Sequence, residues 1–162
     1  MKVQKNVTID PIPLSVMRGL LETTRREMTL SPKKIARSNV ANLANDYSTA
    51  GFTYRPEIML HRHDSPLYLE PLIPKMNVAG EYFKDDIHDS DFQVQNDPAQ
   101  GDSPAIDTCF YKPVFWKGTL KYWADWNAHL TDIGAPLPAG DYPNATKIDA
   151  ECLRMLRSEV RP

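Results

Sequence analysis

The 162-residue chain is short of most features that name a protein on sight. Cysteine is nearly absent: Cys109 and Cys152 show no C-x-x-C spacing, so they permit a disulfide without predicting one, and buried free thiols are the expectation. No apolar run reaches the roughly 20 residues that span a bilayer. The opening MKVQKNVTID has lysines but no apolar core of a signal peptide, so the expectation is a chain of the cytoplasm or of an assembled particle. Neither charge sign dominates, and a net charge of −2 argues against an electrostatic binder of nucleic acid. The seven glycines are scattered, so there is no phosphate-binding loop, and no G-x-S-x-G elbow occurs. Internal repeats, heptads and low-complexity tracts are missing too.

Proline is what the chain has instead. Fourteen prolines each fix φ and remove a backbone donor, so much of the chain is expected to be extended or irregular. Leu14, Met17, Leu20, Leu21, Thr24 and Met28 recur at three- and four-residue steps and predict a first amphipathic helix. Ser31 as N-cap and Pro32 as first helical residue predict a second, ending among Asn39, Asn42, Asn45 and Asp46 before a turn at Gly51. Phe52, Tyr54, Ile58 and Leu60 read as an edge strand because of Pro56. Pro66, Pro71 and Pro74 then predict an extended arm that cannot be helical, with helix returning only near Val78–Phe83. Residues 85–107, rich in aspartate, read as a long loop. Residues 109–116 read as a short edge strand, 119–130 as a helix capped by Thr119, and 146–160 as a last helix. The predicted class is α+β in a single domain, 1–162, with about four amphipathic helices, a few short edge strands and long proline-rich arms; 61–107 is the largely irregular arm and acidic loop.

Candidate chemistry is sparse. In extended chain His61 and His63 point to one side, and His88 with Asp89 (beside Asp85 and Asp86) could complete a nitrogen–oxygen set for a divalent transition metal. The competing reading is a solvated acidic loop with no cofactor. A thiol nucleophile would pair Cys109 or Cys152 with His129 or His88, yet both cysteines lie among apolar neighbours. Phe110, Tyr111, Phe115, Trp116, Tyr122, Trp123 and Trp126, interleaved with Lys112, Lys117 and Lys121, could stack bases; a buried aromatic core explains them more simply. Two tandem helices with Lys33, Lys34 and Arg37 also admit a helix-turn-helix.

Ser38-Asn39-Val40-Ala41-Asn42, then Thr49-Ala50-Gly51-Phe52 and Arg55, resembles the N-terminal signature of flagellar axial (rod and hook) proteins over residues 37–60. The resemblance implies a polymerising subunit, although no long closing helix follows. With the extended arms, it gives the expectation of a non-catalytic structural or adaptor subunit of an assembly, flagellar-type or viral. Its partners would be other protein subunits, copies of itself included, with neither nucleic acid nor membrane. The alternative is a small metal-dependent enzyme built on His61, His63, His88 and Asp89, and the third reading is a nucleic-acid-binding module.

Overall fold

Among the described residues, six strands form one antiparallel sheet with a helix against each face. The computed structural model describes residues 9–61, 69–83, 86–101, 104–140, 142–155 and 158–160. The strands are β1 (Tyr47–Thr53), β2 (Ile58–His61), β3 (Phe92–Gln95), β4 (Asp107–Trp116), β5 (Thr119–His129) and β6 (Ser158–Val160), in the order β2-β1-β5-β4-β3-β6. The helices are α1 (Pro11–Ile35) and α2 (Leu69–Tyr82). A six-stranded sheet therefore replaces the expected set of four helices with edge strands.

Each departure from expectation has a physical cause. α1 starts where Asp10 accepts from the Ile12 N–H at 2.9 Å, and it runs straight through Pro32 instead of restarting there. Pro32 lies in the last turn, where its missing donor deprives one carbonyl only, and its own carbonyl is taken by the Ala36 N–H at 2.8 Å. The expected second helix shrinks to a single π turn, Val40–Ala44, stopped by Asn45 in the left-handed region at φ 57. Gly51 is mid-strand, not a turn: a Cβ there would sit 2.9 Å from Leu60 Cγ, so glycine lets β2 close over β1. Pro56 falls in the connection between those strands. The arm that was read as non-helical is in fact α2. Pro71 falls in its first turn, where N–H groups have no intrahelical partner anyway, and Pro74 in its second turn costs one backbone hydrogen bond that the packing of α2 on the sheet offsets.

The largest correction concerns residues 107–129. β4 lies between β5 and β3 and is no edge strand; Pro113 is accommodated beyond the β3 pairing, which ends at Tyr111. Residues 119–129 are strand β5 and not a helix. Lys117 and Gly118, at φ 50 and 72, make the two-residue primed turn that matches strand twist. Both faces of β5 are covered, so Trp123 on one side and Trp126 on the other produced an apparent helical spacing. The acidic stretch contains β3, and Asp91, Asp97 and Asp107 are buried in it. The expected last helix is a short 3-10 turn, Ile148–Ala150, followed by irregular chain and β6.

A valine at position 118 would have to adopt a positive φ, at a cost of about 1–2 kcal/mol per residue. Gly118→Val is expected to lower unfolding free energy by that amount in chemical denaturation, without changing the fold.

Side chains alternate across the sheet. On one face Ala50, Phe52, Cys109, Tyr111 and Trp123 pack under Leu72, Met76 and Ala79 of α2. On the other, Tyr47 and Ala128 pack with Ala41 of the π turn, flanked by Ala36, Trp126 and Leu130. α1 is joined to this side by the Tyr47 hydroxyl, which donates to the Thr29 carbonyl at 2.9 Å, and by Lys33 Nζ, which donates to Asn45 Oδ1 at 2.6 Å. An apolar hollow of about 710 Å³ remains between α1 and this face, lined by Met28, Ile35, Phe92, Phe110 and Trp126.

Candidate active site: a histidine between two aspartates

Strand register brings three separated residues level at one end of the sheet. Asp107 opens β4 directly opposite His129, the last residue of β5. Asp46 immediately precedes β1, and its carbonyl accepts the His129 N–H at 3.1 Å. His129 Nδ1 lies 3.2 Å from Asp107 Oδ1 and 3.8 Å from Asp46 Oδ2. Asp107 is buried, His129 is mostly buried, and Asp46 is partly exposed, so the group opens to solvent on one side.

The backbone of His129 is clamped from both ends. The Ser38 hydroxyl donates to the His129 carbonyl at 3.2 Å and receives the Thr131 hydroxyl at 2.9 Å. Ser38 also accepts from the Ala41 N–H at 3.2 Å, and the Asn42 amide donates to the Ala36 carbonyl. The Ser-Asn-x-Ala-Asn stretch is thus a collar around the histidine strand end. The Asp107 contact is one of charge and distance, since its Oδ1 has no hydrogen-bond partner among the described residues; an imidazole beside a carboxylate can serve as a general base or acid. Among the described residues no group of three or more His, Cys, Asp or Glu could hold a metal ion.

The residues singled out from sequence fall elsewhere. His61 ends edge strand β2, in a groove against Leu14, Met17 and Arg18 of α1. His88 lies in the turn before β3, with Nδ1 3.6 Å from Asp86 and 3.4 Å from Asp91. Asp89 is exposed, and its carbonyl accepts Lys112 Nζ at 3.1 Å. β1, β5 and β4 lie between β2 and β3; His63 lies outside the described residues. Cys109 and Cys152 are free and buried. Burial first, then the nearby Asp125 charge, pushes the Cys109 thiol up to about 12, against the opposing pull of Lys75. It is a protonated core thiol facing Lys75 Nζ at 3.4 Å, not a nucleophile. Tyr111 and Trp123 are core residues, as the simpler aromatic reading expected, while Trp116 stays exposed.

The model of the hydantoinase B/oxoprolinase family matches residues 10–159. The chain belongs to that family. It is 51% identical over 148 residues to caprolactamase subunit beta of Pseudomonas jessenii, covering 91% of this chain and 26% of that protein. The crystal structure of the ATP-dependent caprolactamase from the same organism superposes with a TM-score of 0.88 at 48% identity, over 96% of this chain and 27% of that one. A nucleotide-free acetone carboxylase structure shares the fold alone, with a TM-score of 0.70 at 20% identity over 78% of this chain and 17% of that one. The chain therefore spans about a quarter of the length of the caprolactamase relative it matches.

Membership of the hydantoinase B/oxoprolinase family overturns the flagellar resemblance: residues 37–60 are collar, strand β1 and strand β2, not a polymerisation signature. It also overturns the expected non-catalytic structural or adaptor role, flagellar or viral, because the family and the relative are enzyme subunits. Protein partners are in keeping with a relative that is itself one subunit of an enzyme. No helix among the described residues is long and apolar enough to cross a membrane.

Proposed function

We propose that this chain forms the part of a hydantoinase B-type subunit that opens cyclic amides, with Asp46, His129 and Asp107 handling the proton. The observation that carries the reading is the His129–Asp107 pair at 3.2 Å, in a chain 51% identical over 148 residues to caprolactamase subunit beta. The relatives' names share one chemistry: caprolactam, hydantoin and oxoproline are rings closed by an amide bond.

In this reading Asp107 holds the imbalance of charge on the ring. Its carboxylate faces Nδ1, fixes the tautomer and stabilises the imidazolium that forms when His129 takes a proton from water. The water oxygen then bonds to the amide carbon, the C–N bond breaks, and the proton held by His129 goes to the departing nitrogen. Asp46, more exposed, sits where it can orient the incoming water. ATP dependence, a property of the caprolactamase, would come from a partner subunit that activates the amide.

The test is mass analysis of products after the assembled protein carrying this chain, with its partner subunit, is incubated with caprolactam, hydantoin or oxoproline and ATP. Release of an open-chain amino acid that needs both ATP and this subunit supports the reading. Absence of ring opening with all three rings would refute it.

A further inference from the structure

The rest of the chain leaves α1 largely uncovered. None of its 25 residues is buried. Thr29 and Lys33, near its C-terminal end, tie it to β1 and to Asn45. Toward its N-terminal end Leu14, Met17 and Leu21 line the groove against Met59, Leu60 and His61 of β2. A second apolar stripe has no such neighbour. Ile12, Val16 and Leu20 follow one another at four-residue steps and are 73, 58 and 63% exposed.

This stripe runs into the hollow between α1 and the sheet. Leu20 stands seven and eleven positions before Glu27 and Ser31, spacings that return to the same side of a helix. Glu27 and Ser31 line the hollow, together with Met28 and Ile35. Phe92, Phe110 and Trp126 of β3, β4 and β5 form its floor, with the Phe110 and Trp126 ring centroids 5.2 Å apart. Stripe and hollow therefore make one trough, with α1 as its wall and three aromatic side chains at its base.

A continuous exposed apolar surface of this kind marks an interface. Its chemistry selects an apolar occupant. The one lysine on the floor, Lys112, already places Nζ 3.1 Å from the Asp89 carbonyl and 5.2 Å from the centre of the Phe92 ring. The comparison with the caprolactamase says where such an occupant would come from. The fold is shared over 96% of this chain at a TM-score of 0.88, yet it takes up 27% of that chain. About three quarters of the larger protein thus lies outside the shared fold and has to pack somewhere on it.

We propose that the trough seats an apolar segment from the part of a hydantoinase B-type subunit that the shared fold does not span. Ile12, Val16 and Leu20 hold one side of that segment, and Phe92, Phe110 and Trp126 receive the other. Self-pairing of two α1 stripes fits the shape less well, because it covers Ile12 to Leu20 and leaves the hollow of about 710 Å³ behind the helix unfilled. Ring opening is not needed for this docking, which depends on family membership and on the surface alone.

Photo-cross-linking on the assembled protein tests it. Benzoylphenylalanine placed at Val16, an exposed position, reports its neighbour by mass spectrometry after irradiation. Coupling to residues of the hydantoinase B-type subunit outside the shared fold is the expected result. Coupling to a second copy of this chain, coupling to the ATP-handling partner subunit, or no coupling at all would overturn the proposal. Melting of the assembled protein gives a second reading. Val16→Asp combined with Leu20→Asp would place two charges in an apolar interface and is expected to lower the melting temperature by about 5 °C or more. Ser15→Asp, on the exposed side shared with Glu22 and Arg26, should shift it by less than about 1 °C. Equal shifts from the two would refute the docking. Neither readout involves turnover, so both stand or fall apart from the ring-opening reading.

Discussion

Replacing His129 by alanine is expected to cut the proposed ATP-dependent ring opening by about 10²–10⁴-fold, the usual contribution of one positioned acid–base group. The loss should fall on kcat rather than KM, because the imidazole acts on a proton in flight and not on the bound ring. Asp107→Asn is the sharper companion. It keeps the shape of the contact at 3.2 Å but removes the charge and can turn the amide so that it donates to Nδ1, leaving the imidazole in the wrong tautomer. A loss of comparable order is expected from it, and the double variant should be little worse than either single one, since the two act as a unit. Circular dichroism would confirm that these strand-end replacements leave the sheet intact, as expected from the backbone clamps on His129 by Ser38 and Asp46.

The second large effect is on stability. Trp123 is 2% exposed and stands in β5 level with Phe52 and Pro113, packed in the cluster that holds Leu72, Met76 and Tyr111. Truncating a buried tryptophan removes its transfer energy and leaves a cavity, so Trp123→Ala is expected to cost about 3–5 kcal/mol. Trp116 supplies the control. It is 66% exposed at the end of β4, and its replacement by alanine should stay within about 0.5 kcal/mol. Urea denaturation of both variants separates them, and equal losses would contradict the assignment of residues 119–129 to a central strand.

Sequence made some of this legible. The stripe from Leu14 to Met28 is a true helix, and Asn45 does stop the turn after it, because local backbone preferences decide both. Where tertiary context decides, periodicity misled. Trp123 lies on one face of a strand covered on both sides, and Ala124, Trp126 and Ala128 lie on the other, which counts like a helix in one dimension. Pro71 and Pro74 argued against a helix only because their place in its first turns was invisible without the start of α2.

The site was hidden for a related reason. Asp46, Asp107 and His129 meet only through the register of β1, β5 and β4, and no linear spacing announces that register. A strand reading of residues 125–129 would have shown Asp125, Asn127 and His129 at every second position, a polar line running into the interior. The histidines that did stand out, at 61, 63 and 88, drew notice by their closeness in sequence to each other or to aspartates. Ser38 to Asn42 was noticed as a motif, yet its work is to hold the His129 strand end.

The most direct measurement is a crystal structure of the assembled protein with caprolactam bound in the absence of ATP. The ring's carbonyl carbon is expected at the open side of the Asp46–His129–Asp107 row, one water away from the imidazole. A ring seated instead in the apolar hollow beneath α1, with the sheet between it and His129, would contradict the assignment of this histidine as the acid–base group.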